Sequence, residues 1–264
     1  MDSNQQQALV SIKRQIRTSA QTDIIDSDLV VAEQAIALVY NGISHAVMMA
    51  TPTDLLDFAL GFSLAEQIIT QPSDILDHEI VISEIGIEIQ LSISSRLFTA
   101  LKSKRRSLAG NSGCGLCGVE SLQQTVKQHL PLIQNDLVSF NTVKLALAQF
   151  QQQQVLNNQA GGVHGAAFCS LSTGQIICLR EDVGRHNAHD KLIGALAQNN
   201  VELNQGFILV SSRASYEMVD KTIAAGINHL VTMSAATSKA ITWAKQHHLN
   251  LIGFARDNRQ VIYV

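Results

Sequence analysis

Two thiols three residues apart in a glycine run, Gly113-Cys114-Gly115-Leu116-Cys117-Gly118, are the side chains of this sequence best suited to chemistry. The glycines let the backbone bend tightly and expose sulfur. Lys102, Lys104, Arg105 and Arg106 precede them, and nearby positive charge favours thiolate over thiol. Val119-Glu120-Ser121-Leu122 then begins a helical pattern, so the pair is expected near a helix N-terminus, whose partial positive charge acts in the same sense.

Three other uses of two cysteines compete with sulfur chemistry. A zinc site needs two further soft ligands, and the chain offers only Cys169 and Cys178, on apolar segments with eight residues between them. No zinc is therefore expected. A thioredoxin-like disulfide catalyst carries its pair after an early strand of a small domain, with bulkier residues between the thiols than Gly115-Leu116. Structural thiols are buried and apolar, and rarely arrive wrapped in glycine behind a basic loop.

The elements that must position such a site follow from periodicity. Leu29–Val39 and His45–Ala50 read as strands joined by a turn at Asn41-Gly42, and Thr51-Pro52-Thr53-Asp54 as a helix start. The alternation from Ile80 to Ile93 predicts one or two half-buried strands. The glutamines of 149–154 read as a solvated helix end, Val163–Leu171 as a strand, and Ile176–Leu179 as its return.

Three apolar strands then end in small hydroxylated or basic residues. Phe207–Val210 runs into Ser211-Ser212-Arg213-Ala214-Ser215, His229–Met233 into Ser234-Ala235-Ala236-Thr237-Ser238, and Leu251–Phe254 into Ala255-Arg256-Asp257-Asn258-Arg259. In open α/β sheets ligands bind beyond such strand ends, where helix N-termini offer free N–H groups to anions. Arg213, Arg256 and Arg259 would add charge-assisted bonds to phosphate, whereas Ser212, Ser234 and Thr237 are candidates both for ligand contact and for plain helix capping.

Arg180 to Lys191 is a further strand-to-helix crossing, in which His186 and Asp190 lie one helical turn apart and read as a packed polar pair. Gly161-Gly162-Val163-His164-Gly165 invites the zinc-deaminase test, H-x-E followed by P-C-x-x-C, and fails it, because Ala166 stands where glutamate is required.

Composition bounds the rest. A chain of 264 residues can bury a full core. Its net charge of -3 argues against a general nucleic-acid binder. The polar start Met1 to Gln7 shows no secretory pattern, no apolar run is long enough to span a bilayer, and four cysteines fit a reducing cytoplasm.

Taken together, G-C-G-L-C-G-V-E (113–120), G-G-V-H-G-A-A (161–167), R-E-D-V-G-R-H-N-A-H-D-K-L-I-G (180–194), S-S-R-A-S-Y-E-M-V (211–219), S-A-A-T-S (234–238) and L-I-G-F-A-R (251–256) resemble the FdhD family of formate dehydrogenase accessory sulfurtransferases. Gly61-Phe62-Ser63-Leu64-Ala65-Glu66 is also similar to that family.

The resemblance implies a cytidine-deaminase-like three-layer α/β core with a mixed sheet, covering 146–264, and a smaller N-terminal α+β region, covering 1–145 and holding the cysteine loop. It implies a cytoplasmic homodimer that takes persulfide sulfur from a cysteine desulfurase. That sulfur goes to the molybdenum cofactor, as bis(molybdopterin guanine dinucleotide), before insertion into formate dehydrogenase. Cys114 matches the persulfide-bearing cysteine and Cys117 the second thiol, which either relays sulfur or resolves the persulfide. The cofactor loop falls on Phe254, Ala255, Arg256, Asp257, Asn258 and Arg259, with Asp257-Asn258 where the family often has glycine. A non-catalytic cofactor chaperone and a disulfide oxidoreductase are the alternatives from other classes.

Overall fold

A computed structural model describes residues 8–17, 19, 24–109, 129–133 and 135–264. Strands β1 (Leu9–Ile16) and β2 (Ile24–Val31) form an antiparallel ribbon. Strands β3 (Gln34–Tyr40), β4 (Ile43–Ala50), β5 (Ile75–Ser83) and β6 (Gly86–Ile93) form a four-stranded sheet in the order β4-β3-β6-β5. The expected single strand from Leu29 to Val39 is thus two strands in different sheets, parted at Ala32-Glu33. The polar Glu33-Gln34 interrupts the apolar run but carries no sign of a change of partner. Asn41 and Gly42 make the tight β3–β4 turn with φ of 46° and 79°, the left-handed conformation these residues tolerate. Helix α1 (Leu55–Ala65) lies between β4 and β5, and α2 (Ser95–Ala109) follows β6.

Beyond them come α3 (Phe140–Gln153), α4 (Val155–Ala160), β7 (His164–Ser170), β8 (Ile176–Asp182), α5 (Arg185–Gln198), β9 (Gly206–Val210), α6 (Tyr216–Ala224), β10 (His229–Thr232), α7 (Ser238–Gln246), β11 (Asn250–Arg256) and β12 (Arg259–Ile262). The six strands form one mixed sheet, β12-β11-β10-β9-β7-β8, in which β9, β10 and β11 are mutually parallel. Side chains alternate between its faces. Ala166, Phe168, Ile208, Val210, Leu230 and Leu251 pack under α5, α6 and α7. Their neighbours Ala167, Cys169, Phe207, Leu209, Val231 and Ile252 pack under α3 through Val143, Leu147 and Phe150. Residue 145 lies inside α3, so a boundary there would cut a helix whose buried face belongs to the six-stranded sheet. No helix among the described residues is long and apolar enough to cross a membrane.

The two sheets meet where α1 crosses α5. A Cβ on Gly61 would lie 1.7 Å from the Asp190 carbonyl oxygen, and one on Gly194 would lie 1.9 Å from that of Asp57, so the helices touch backbone to backbone. Glycine to alanine in a helix interior usually stabilises by about 1 kcal/mol. Here the sign reverses, because the methyl group can only be admitted by parting the helices. Gly61→Ala is expected to destabilise the protein by about 3 kcal/mol, the upper range of overpacking, measured by urea denaturation.

Charged residues also cross this seam. Lys191 Nζ, fully buried, lies 2.7 Å from Asp182 and donates to the Thr51 carbonyl at 2.9 Å. Asp182 accepts from the amides of Thr51 at 3.1 Å and Gly184 at 2.8 Å and from Asn187 Nδ2 at 3.0 Å. Every lone pair of the carboxylate is engaged. The network ties the end of β4 to the β8–α5 turn and fixes where α5 begins. Arg180 of β8 adds a contact of 2.7 Å to Asp57 of α1.

Candidate functional site

Since β9, β10 and β11 are parallel, their C-terminal ends share one edge of the sheet, where β7 also begins and β8 ends. The sequence-predicted loops gather there. Two of them interlock: Ala214 N–H donates to the Ala235 carbonyl at 3.0 Å, Thr237 N–H donates to Ala214 at 3.0 Å, and Thr232 Oγ1 donates to the Ser212 carbonyl. Ser212 is 4 % exposed and its hydroxyl donates to the carbonyl of Arg213 at 3.1 Å, which makes it part of the floor. Thr237 caps α7, accepting from Ala240 N–H at 3.4 Å, just as Ser215 caps α6 by accepting from Met218 N–H at 3.5 Å. Arg213 is exposed and Ser234 half-buried at the same edge.

The third loop is a hairpin between β11 and β12 rather than a path into a helix. Phe254 takes a left-handed φ of 48° and donates its N–H to the Ser234 carbonyl at 2.9 Å. Ala255 is fully buried, while Arg256 Nη1 donates to the carbonyls of Met233 and, at 2.8 Å, of Ala255. Arg256, Asp257 and Asn258 line a cavity of about 400 Å³ with Met233 and, from α3, Leu147 and Gln151. The Arg259 guanidinium lies 5.3 Å from the centre of the Phe254 ring, a cation–π distance. The hairpin thus offers a cationic rim to a ligand entering from the α3 face.

A second polar group occupies the edge on the face of α5 and α6. His164 Nδ1 lies 3.3 Å from Ser211 Oγ, which accepts the Gly165 N–H at 3.0 Å. Burial, with Arg185 nearby, holds the His164 imidazole below the usual histidine range. His186 reaches Glu217 of α6 at 2.8 Å, and Asp190 reaches Lys221 of α6 at 2.6 Å. The expected His186–Asp190 pair is thereby corrected, since both side chains project from α5 toward cations and carboxylates of α6. Glu181 of β8 receives the amides of Leu156 at 2.8 Å and Asn157 at 2.9 Å, bracing α4 and the Gly161-Gly162 turn that leads to His164. Sequence reasoning weighed His164 only as a zinc ligand. Its position opposite Asp182 and near Arg185 depends on the β7–β8 register.

The FdhD/NarQ family model matches residues 31–264. The chain belongs to that family. Among FdhD/NarQ relatives, the sulfur carrier protein FdhD of Cupriavidus necator is 49% identical over 240 residues, covering 91% of this chain and 83% of its own. That of Acinetobacter baylyi is 48% identical over 237 residues, covering 89% and 86%. A crystal structure of a formate dehydrogenase accessory protein from Desulfotalea psychrophila superimposes with a TM-score of 0.73 at 21% identity, covering 97% of this chain and 96% of that one. At that identity the likeness speaks for the fold.

For an FdhD/NarQ chain the cysteines are the first concern. Cys114 and Cys117 lie outside the described residues. Cys169 sits in the core with no exposed surface, and burial pushes its thiol far up. Burial also raises the Cys178 thiol, whose sulfur accepts from Arg180 at 3.5 Å. Neither thiol is suited to attack at neutral pH, because the thiolate is the nucleophile.

Proposed function

We propose that this protein is a sulfur carrier that takes persulfide sulfur from a cysteine desulfurase onto Cys114 and hands it to the molybdenum cofactor destined for formate dehydrogenase. The observation that carries this reading is the near-50% identity to proteins named sulfur carrier FdhD over about nine-tenths of the chain. It is supported by the division among the thiols, with Cys169 and Cys178 held protonated by burial and Cys114 and Cys117 set in glycine behind a basic stretch.

In the accepting step the Cys114 thiolate attacks the outer sulfur of the desulfurase persulfide. A Cys114 sulfur–sulfur bond forms, the desulfurase sulfur–sulfur bond breaks, and the desulfurase cysteine leaves as thiolate. Cys117 then either accepts the outer sulfur or attacks Cys114 Sγ, releasing sulfide and leaving a disulfide. We read bis(molybdopterin guanine dinucleotide) as the substrate that receives the sulfur, and the 254–259 hairpin as its docking loop. The cavity beside Arg256 supports that placement. The mixed sheet covered by helices on both faces supports a cytidine-deaminase-like core, and a cytoplasmic homodimer working with apo formate dehydrogenase completes the proposal.

Arg256→Ala is expected to weaken binding of GDP, used as the nucleotide probe, by about tenfold or more, because one charge-assisted contact is worth roughly 1.5 to 3 kcal/mol. Titration calorimetry measures it. Sulfur loading by a desulfurase, read by intact mass, should remain. Unchanged GDP affinity would move the docking loop elsewhere, and a protein that binds GDP but never gains sulfur would be a cofactor chaperone.

A further inference from the structure

Arg185 is the permanent cation of the α5 and α6 cluster that forms no ion pair among the described residues. Asp182 is matched by Lys191 at 2.7 Å and Asp190 by Lys221 at 2.6 Å, while the exposed Glu217 lies 2.8 Å from His186, whose imidazole burial holds below the usual histidine range. Among the described residues no carboxylate forms an ion pair with Arg185, and its Nε is buried with no hydrogen-bond acceptor. A desolvated donor on a permanent cation is costly to leave unmatched.

Its neighbour His164 is arranged as a second donor. Ser211 Oγ receives the Gly165 N–H at 3.0 Å, and among the described residues the acceptor left for the hydroxyl proton is His164 Nδ1 at 3.3 Å. The ring proton then resides on Nε2. The groups facing this imidazole are Asp182 of β8, already committed to Lys191, together with Arg185 and His186 of α5 and Ser211 after β9. A neutral N–H donor beside an uncompensated guanidinium suits an oxygen that is anionic and shared between two donors, as phosphoryl oxygens are.

We propose that His164 Nε2–H and the Arg185 guanidinium form a phosphoryl-oxygen station on the strand-end edge, separate from the Arg256 cavity. His164 has the parity of Ala166 and Phe168, which face α5 to α7, whereas the Arg256 cavity is walled by Leu147 and Gln151 of α3. Three strand spacings separate β7 from β11, or about 14 Å. A dinucleotide, with one diphosphate between two bulky ends, can set the diphosphate at the station and one end at the Arg256 cavity. The station stands on its own geometry and rests on the proposed function only for the molecule that carries the diphosphate.

The experiment is calorimetric titration of the full chain with inorganic pyrophosphate and, separately, GDP. The wild type is expected to bind pyrophosphate, and His164→Ala and Arg185→Ala each to weaken it about tenfold or more. His164→Gln, which keeps a neutral donor near the Nε2 position, should stay within about threefold of wild type. Thermal unfolding identifies any misfolded variant, in which case His164→Gln and Arg185→Lys, expected to be intermediate because it keeps charge without the fork, decide alone. Pyrophosphate that binds the wild type but ignores both positions, or responds only to Arg256→Ala, overturns the station and leaves the proposed function standing. No pyrophosphate binding at all overturns it too. Loss of GDP binding to the wild type, with pyrophosphate binding still dependent on His164 and Arg185, would instead count against the nucleotide part of the proposed function.

Discussion

Replacement of Cys114 by serine is expected to abolish sulfur loading, a loss too large to express as a graded change in rate. Serine is close in size but cannot form a sulfur–sulfur bond, so the accepting displacement has no nucleophile. The remaining thiols cannot substitute, since Cys169 is walled in by the core and the Cys178 thiol is pushed up by burial. Cys117→Ser separates the two roles of the second thiol: if Cys117 resolves the persulfide, loaded Cys114 accumulates and release slows. Intact mass with peptide mapping, after incubation with a cysteine desulfurase and cysteine, is the measurement. Sulfur found on Cys169 or Cys178 in the wild type would remove Cys114 from its assigned role. GDP binding should survive both serine variants, because Arg256 is held by the carbonyls of Met233 and Ala255 and serine is close to cysteine in size.

Asp182→Ala should be the most damaging single substitution of a polar residue. It strands the Lys191 ammonium in a fully buried site and releases the amides of Thr51 and Gly184 together with Asn187 Nδ2. Breaking a buried pair in this way costs about 3 to 5 kcal/mol. For a chain of this size that lowers the melting temperature by about 10 °C. Lys191→Met should cost less, since the carboxylate keeps its other donors, and the double variant should fall well short of the sum of the two. Denaturant titration of the four proteins closes the cycle. Strict additivity would mean that the pair contributes nothing as a pair.

Much of the fold was legible because its strands are short and punctuated. Asn41-Gly42 announced a hairpin, and Thr237, a candidate for helix capping, does cap α7. The break at Ala32-Glu33 was not legible, since periodicity reports burial and not the identity of the paired strand. At the strand ends, residue type could not separate Ser212, sealed beneath the loop, from Arg213, which faces solvent. His164 and Arg185 were in view as letters of two motifs. Their proximity comes from antiparallel pairing across β7 and β8, and the partner of His164 comes from the loop after β9. The glycines of the helix crossing carry no local sign that each lies against a carbonyl of the opposite helix.

That crossing has a bearing on how the molecule comes apart. Neither sheet can lose its covering helix without stripping the other, for α1 and α5 share one dehydrated contact, the Arg180–Asp57 pair bridges it, and Lys191 and Asp182 both bond Thr51 across the seam. Amide protons of both helices should therefore exchange with deuterium at one common rate, set by global opening, while the β1–β2 ribbon exchanges sooner. A chain that looks like two layered units then behaves as a single foldon, and a ligand held at the strand ends would slow exchange as far away as the four-stranded sheet.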